Sequence, residues 1–182
     1  GIIHQQINAW WQENVEAGRP SMLFAYSLGK AQRLLRGLDS SIGPIFAHGA
    51  VHPFLPVYEK YGVVFPKVQK PKEGSGEWAG SMIVAPPAVE DAGWTRRFKG
   101  ASRGFASGWM AVRGARRRRN LDRGFVLSDH ADWSGLLEVI EGTGAECVKL
   151  THGNGEPLAR YLQERGVDAS MLDGSGERTG EE

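Results

Sequence analysis

Met22-Leu23-Phe24-Ala25-Tyr26-Ser27-Leu28-Gly29-Lys30-Ala31-Gln32-Arg33-Leu34-Leu35-Arg36-Gly37-Leu38 decides how the rest of the chain is read. Its first five residues are apolar or aromatic without a break, the pattern of a strand buried on both faces. Ser27-Leu28-Gly29 is turn-like. From residue 30 the apolar positions Ala31, Leu34, Leu35 and Leu38 recur at helical spacing and face one side. A buried strand, a short turn and an amphipathic helix make half of a βαβ unit. Working outward, 3–17 reads as a helix with Ile3, Ile7, Trp10, Trp11 and Val15 inward, ended by Gly18 and Pro20. A short strand at 44–47 and a helix running to about residue 61 follow. Pro53 and Pro56 predict an irregular first turn in that helix. Residues 66–80, rich in Lys, Gly and Pro, read as a surface loop, and 81–85 as a strand that stops at Pro86-Pro87. Farther on come a strand at 124–127, a helix at 133–141, a strand at 147–150, a helix at 156–165 and a strand at 167–172. Gly142 and Gly166 stand where helices stop. The rhythm predicts an α/β protein with parallel sheet, its last three strands forming a second βαβαβ run.

The bulk properties exclude several classes. The chain has 182 residues, 41% apolar and 24% charged, which is ordinary for a soluble domain or two. No apolar run approaches the ~20 residues of a membrane span, and no signal peptide is evident. The lone Cys147 reads as a small buried hydrophobe, and a chain with no internal disulfide fits a reducing, cytoplasmic setting. The chain starts at Gly1 with a helix pattern almost at once, so a fragment of a longer protein is expected.

A net charge of +1 hides a strong asymmetry. Between residues 96 and 123 lie ten basic side chains (Arg96, Arg97, Lys99, Arg103, Arg113, Arg116, Arg117, Arg118, Arg119 and Arg123), opposed only by Asp122. Such a block is either a phosphate-binding face or a solvated loop. Trp94, Phe98, Phe105 and Trp109, interleaved with it, are either base-stacking or core residues. Ser27 and Lys30, at the strand-to-helix turn, are either an anion site built on backbone amides or an exposed helix start. The tail from residue 173 is acidic and Gly-rich, and reads as disordered.

Two histidines each follow a strand-like run. Ser128-Asp129-His130-Ala131-Asp132-Trp133 succeeds Gly124-Phe125-Val126-Leu127, and Thr151-His152-Gly153 succeeds Cys147-Val148-Lys149-Leu150. Strand ends are where ligand-binding groups gather in α/β folds. By spacing alone either histidine is a site residue or a hydrogen-bonded loop residue; no HExxH or CxxC pattern accompanies them. His4, His48 and His52 match no pattern and read as surface or packing residues.

Taken jointly, Phe24-Ala25-Tyr26-Ser27-Leu28-Gly29-Lys30-Ala31-Gln32, Phe105-Ala106-Ser107-Gly108-Trp109-Met110, the arginine run, Ser128-Asp129-His130-Ala131-Asp132-Trp133 and Thr151-His152-Gly153 resemble metallo-β-lactamase-fold nucleases of the β-CASP branch. Within that branch the chain is most similar to the bacterial exonucleases associated with DNA ligase. The resemblance implies a parallel-sheet β-CASP insert over 1–119, truncated at its start. It implies the C-terminal part of a metallo-β-lactamase αββα fold over 120–173, and a disordered tail over 174–182. It implies phosphodiester hydrolysis with two zinc ions in the full-length enzyme, His130 protonating the leaving oxygen and His152 ligating one zinc. Nucleic-acid contacts would come from Ser27, Lys30, Arg113, Arg116, Arg117, Arg118 and Arg119. DNA is expected over RNA as substrate, a DNA ligase and a helicase as partners in DNA repair, and no membrane.

The chain also departs from the family pattern. The motif His-x-His-x-Asp-His is absent, as are the metal-binding residues that normally follow it. They are expected upstream of residue 1, so the chain alone should hold at most one or two ligands and is expected to be inactive. Two other readings stay open: an RNA-processing β-CASP ribonuclease, and a non-catalytic nucleic-acid-binding α/β module.

Overall fold

In a computed structural model, which describes residues 1–71, 77–112, 114, 117, 120–151 and 153–172, the apolar run at residue 22 forms the middle of a sheet. Strand β1 (Ser21–Phe24) is preceded by helix α1 (Ile2–Glu16) and followed by α2 (Lys30–Arg36), β2 (Ile45–Ala47), α3 (Leu55–Lys60), β3 (Val68–Gln69), β4 (Met82–Ala85), β5 (Ser102–Ala106) and β6 (Arg123–Phe125). The sheet order is β3-β2-β4-β1-β5-β6, and every pairing is parallel. The protein is therefore α/β, as expected. The chain divides into two compact units, Gly1–Asp129 and His130–Glu182.

Successive side chains of a strand point to opposite faces, so the β1 run fills two cores. Leu23 and Ala25 join Ile7, Trp10, Trp11, Leu34 and Leu35 of α1 and α2 on one face. Met22 and Phe24 join Ile83, Phe105, Trp78 and Phe98 on the other. All four residues of β1 and all four of β4 are buried, which is why these segments read as unbroken apolar runs rather than alternating ones. Helix α1 is fixed to the sheet by polar contacts as well. The Trp10 indole N–H donates to Ser102 Oγ at 3.2 Å, and the buried Asn14 amide donates to Ser21 Oγ at 2.9 Å. As Pro53 predicts, α3 opens with a 3-10 turn, His52–Phe54.

Three local expectations change. First, β5 lies inside the basic stretch, where no strand was expected, because Ser102-Arg103-Gly104-Phe105-Ala106 has neither an apolar run nor clean alternation. Gly104 explains its place beside β1: a Cβ there would lie 3.0 Å from the Trp10 ring and 3.2 Å from Phe125. Arg103 lays its guanidinium over the Phe24 ring, 5.4 Å from the centroid. Second, the segment read as the first strand of a C-terminal βαβαβ run is β6, which pairs with β5 through Gly104↔Arg123 and Ala106↔Phe125. Phe125 is buried edge-on against Trp10 at 5.5 Å. Residues 120–129 accordingly lie in the first compact unit. Third, Val68–Gln69 is a two-residue edge strand inside the expected 66–80 loop.

The second unit is built from α4 (Trp133–Thr143), β7 (Cys147–Leu150), α5 (Glu156–Gln163) and β8 (Asp168–Met171). β7 and β8 pair in parallel around Leu158, Ala159, Leu162 and Ala169. Cys147 is exposed, not buried as expected: Val148 and Leu150 take the inward positions of β7, so Cys147 and Lys149 point out. Helix α4 ends at Gly144, in the left-handed conformation with φ +63°, two residues past the expected Gly142. Among the described residues no helix is long and apolar enough to cross a membrane. His152, Arg113, Arg116, Arg118, Arg119 and the tail at 173–182 lie outside the described residues.

Gly104 gives a direct test of the central position of β5. Gly104→Val would overpack the site between Trp10 and Phe125 and should cost about 1–3 kcal/mol in urea unfolding. Unchanged stability would mean that β5 does not pack against α1 as described.

Candidate functional site

The chain leaves β1 toward the β2 side of the sheet and leaves β5 toward β6, so these neighbouring strands have diverging connections. A crevice opens outside the carboxyl ends of strands at such a switch point, and ligands of open α/β sheets collect there. Three loops converge at this edge. They are Ala25-Tyr26-Ser27-Leu28-Gly29 after β1, Ser107-Gly108-Trp109 after β5, and Val126-Leu127-Ser128-Asp129 after β6. The Ser107 amide donates to the Phe125 carbonyl at 3.0 Å. A Cβ on Gly108 would lie 3.4 Å from Ser128 Cβ, and one on Gly29 4.0 Å from Asp129 Oδ2. Three segments far apart in sequence thus meet within the first compact unit.

Lys30 ties two of these loops together. It is only 4% exposed, although it opens a helix. Its Nζ lies 3.6 Å from Asp129 Oδ2 and 5.1 Å from the Tyr26 ring centroid. Arg33, one turn on, donates from Nη1 to the Ser128 carbonyl at 3.2 Å and stands 4.0 Å from Asp129 Oδ1. A lysine–carboxylate pair near 4 Å attracts by about 4 kcal/mol at an effective dielectric of 20, much of it offset by desolvating the ammonium. The net result is to hold residues 128–129 against α2.

The turn before α2 is closed on itself. The Lys30 amide donates to Leu28 O at 3.1 Å, the Ala31 amide to Tyr26 O at 3.0 Å, and the buried Gln32 side chain to Ser27 O at 2.9 Å. Gly29 supplies the φ of +80° that the turn requires. These bonds engage the Lys30 and Ala31 amides, and Lys30 Nζ faces a carboxylate. Ser27 and Lys30 thus belong to a turn at the switch-point edge that is braced by its own hydrogen bonds and by the Lys30–Asp129 pair.

Asp132, in the second unit, caps α4: its Oδ1 accepts from the Gly135 amide at 2.8 Å. His130, the first residue of that unit, is exposed. Of the arginine block, Arg117 is described and exposed. Among the described residues no group of three or more His, Cys, Asp or Glu is arranged to hold a metal ion. His152, the zinc ligand that the resemblance implies, lies outside them.

Of the remaining histidines, the rings of His4 and His48 have structural partners. His4 Nε2 lies 3.0 Å from Arg33 O, and its ring occupies the space a side chain at Gly37 would need. His48 follows β2; its Nδ1 accepts from the Ala50 amide at 3.0 Å, and its ring packs edge-on against Trp94 at 4.6 Å. Burial, and then the charge of Arg97, hold the His48 pKa below its ordinary value. His52 is half-buried on the 3-10 turn.

No family model matches the chain. It is similar to a protein of Opitutus terrae (strain DSM 11246 / JCM 15787 / PB90-1) described as "Probable DNA ligase", with 35% identity over 167 residues. The match covers 92% of this chain and 16% of that protein.

Two measurements test this geometry. In a double-mutant cycle with Lys30→Met and Asp129→Asn, the coupling in unfolding free energy should be about 1–2 kcal/mol; a coupling near zero would remove the clamp. For His48, the folded chain binds the imidazole proton less readily than the unfolded chain. That difference has no effect above the ordinary histidine pKa and costs stability as pH falls through it toward the depressed folded value. Between about pH 7 and 5 the melting temperature should fall less in His48→Asn, which keeps an acceptor for Ala50, than in the natural chain. Parallel slopes would mean that His48 does not titrate abnormally.

Proposed function

We propose that this chain is part of a DNA-processing nuclease of the metallo-β-lactamase-fold, β-CASP type, an exonuclease acting together with a DNA ligase. The observation that carries the reading is the convergence of its motif segments. The Tyr26-Ser27-Leu28-Gly29-Lys30 turn, the Ser107-Gly108-Trp109 turn and Ser128-Asp129 all lie at one switch-point edge, and the first and last are joined by the Lys30–Asp129 pair. Parallel neighbours β1, β5 and β6 bring the loops that follow them to the edge where α/β folds bind ligands, and the motif residues fall on those loops. The likeness to a probable DNA ligase, which takes up 16% of that protein's length, supports a role in DNA rather than RNA metabolism. It fits a processing segment carried in the same polypeptide as a joining enzyme, since ends must be trimmed before they can be sealed.

In this reading a water loses a proton to solvent as it adds to phosphorus, the P–O bond to the leaving nucleotide breaks, and the departing oxygen takes a proton from His130, which regains one from solvent. A positioned acid of this kind contributes typically 10²–10⁴ in rate. Arginines of the 113–119 stretch hold the strand through its phosphates without reading sequence. His152 contributes one zinc ligand in the complete protein, the other ligands coming from residues that this chain does not contain; a helicase is a further partner. A non-catalytic DNA-binding module is the second reading, favoured by the +9 charge of residues 96–123.

The test uses the chain extended upstream to the full nuclease. His130→Ala should lower DNA hydrolysis by ~10²-fold or more with bound zinc unchanged, and His152→Ala should lose about one zinc per chain. Loss of zinc in the first variant, or none in the second, overturns these roles. A protein that binds DNA without cleaving it leaves the module reading, and preferential cleavage of RNA reverses the choice of substrate.

A further inference from the structure

Two large aromatic side chains stand out of the core at the switch-point edge. Trp109 is 75% exposed and Tyr26 59% exposed, whereas Phe98 and Phe105, in and beside the same basic stretch, are buried. A single exposed aromatic needs no explanation. Here two follow hydrogen-bonded neighbouring strands, at the edge where ligands of this class of sheet bind.

Both are carried on hydrogen-bonded turns. Trp109 lies in the 3-10 turn Gly108–Ala111, whose cap Ser107 is buried and accepts from the Trp109 amide through Oγ at 3.3 Å. Its neighbour Met110 packs into the core and abuts Gly124, where a Cβ would lie 2.9 Å from the Met110 sulfur. Anchoring Met110 leaves the indole pointing away from the core. Tyr26 is held by the Ala31 amide on its carbonyl and by the Lys30 ammonium over its ring. The backbone that presents both rings is already ordered before a ligand arrives.

We propose that Tyr26 and Trp109 form a stacking platform for the bases of a single-stranded nucleic acid. The inference rests on the DNA-processing reading and names the form of DNA recognised. Charge decides the occupant: Trp109 lies inside a segment of ten basic residues opposed by one acid, which favours a polyanion over an apolar protein surface. Ring faces decide the form, because bases in a duplex already stack on one another, while unpaired bases stack on aromatic side chains whatever their sequence.

The experiment measures affinity of the full 182-residue chain for a fluorescent oligo(dT) strand and for a hairpin duplex of matched length, at several salt concentrations. Trp109→Ala and Tyr26→Ala should each weaken strand binding by about 5- to 100-fold, the range of one lost base stack. Duplex affinity should stay within about twofold, and the slope against log salt should not change, because no phosphate contact is removed. Trp109→Phe should keep most of the affinity and Trp109→Leu should lose it, a comparison that stands even if an alanine variant fails to fold. If the natural chain binds the strand and every variant matches it, the platform is overturned and the DNA reading survives. If the variants match it for the strand but lose self-association in sedimentation, the two rings form a protein contact and the proposal is overturned. If the natural chain binds neither strand nor duplex, the DNA reading fails and the platform with it.

Discussion

The structure of the first unit depends on one constraint, the burial of β1 on both faces between two parallel neighbours. A parallel sheet leaves no face for solvent, so both sides must be covered. Here α1 and α2 supply one cover, and the Trp78, Phe98 and Leu121 cluster supplies the other. β4 and β5 flank β1, and the outward paths from β1 and β5 diverge. The crevice at their carboxyl ends is a consequence of that arrangement rather than a separate feature. Gly104 shows how tight it is: the strand beside β1 passes within contact of Trp10 only because one position has no side chain.

The charged clamp at the crevice belongs to the same logic. Lys30 is buried because α2 must lie flat on the sheet to bury Ala31, Leu34 and Leu35, and the helix start is carried inward with them. A buried ammonium needs a counter-charge, and Asp129 provides it across a separation of 99 residues in sequence. The pair therefore ties the loop after the last strand of the sheet to the turn after its first strand. The residues fixed in this way are those immediately before His130. The Ser-Asp-His-Ala-Asp segment thus divides its polar groups: Asp129 answers Lys30, Asp132 caps α4, and the exposed His130 lies between them.

Several elements were legible from the chain itself. The unbroken run at 22–26, the helical spacing of Ile7, Trp10 and Trp11, and the stop at Gly166 are local signals. In each, burial on a known face writes a period into the sequence. The prolines at 53 and 56 likewise fixed the irregular start of α3. The placement of motifs after strand ends was also readable, because it needs only the strand and the residues that follow.

What the sequence by itself determined is the α/β class, the buried character of β1 and β4, and which polar residues follow strand ends. Only the tertiary structure decided that 102–106 is a strand, since Arg103 and Gly104 conceal it and its stability comes from pairing with β1 and from the Trp10 ring. Only the tertiary structure assigned 123–125 to the large sheet instead of a C-terminal run, because an apolar run of three or four residues does not record which neighbour it pairs with. The same holds for Lys30, Tyr26 and Trp109. Whether a lysine is buried or an aromatic ring stands in solvent depends on the geometry of neighbours distant in sequence. Hydrophobic periodicity encodes a face, and a switch-point crevice is made by the order of strands, which no local pattern carries.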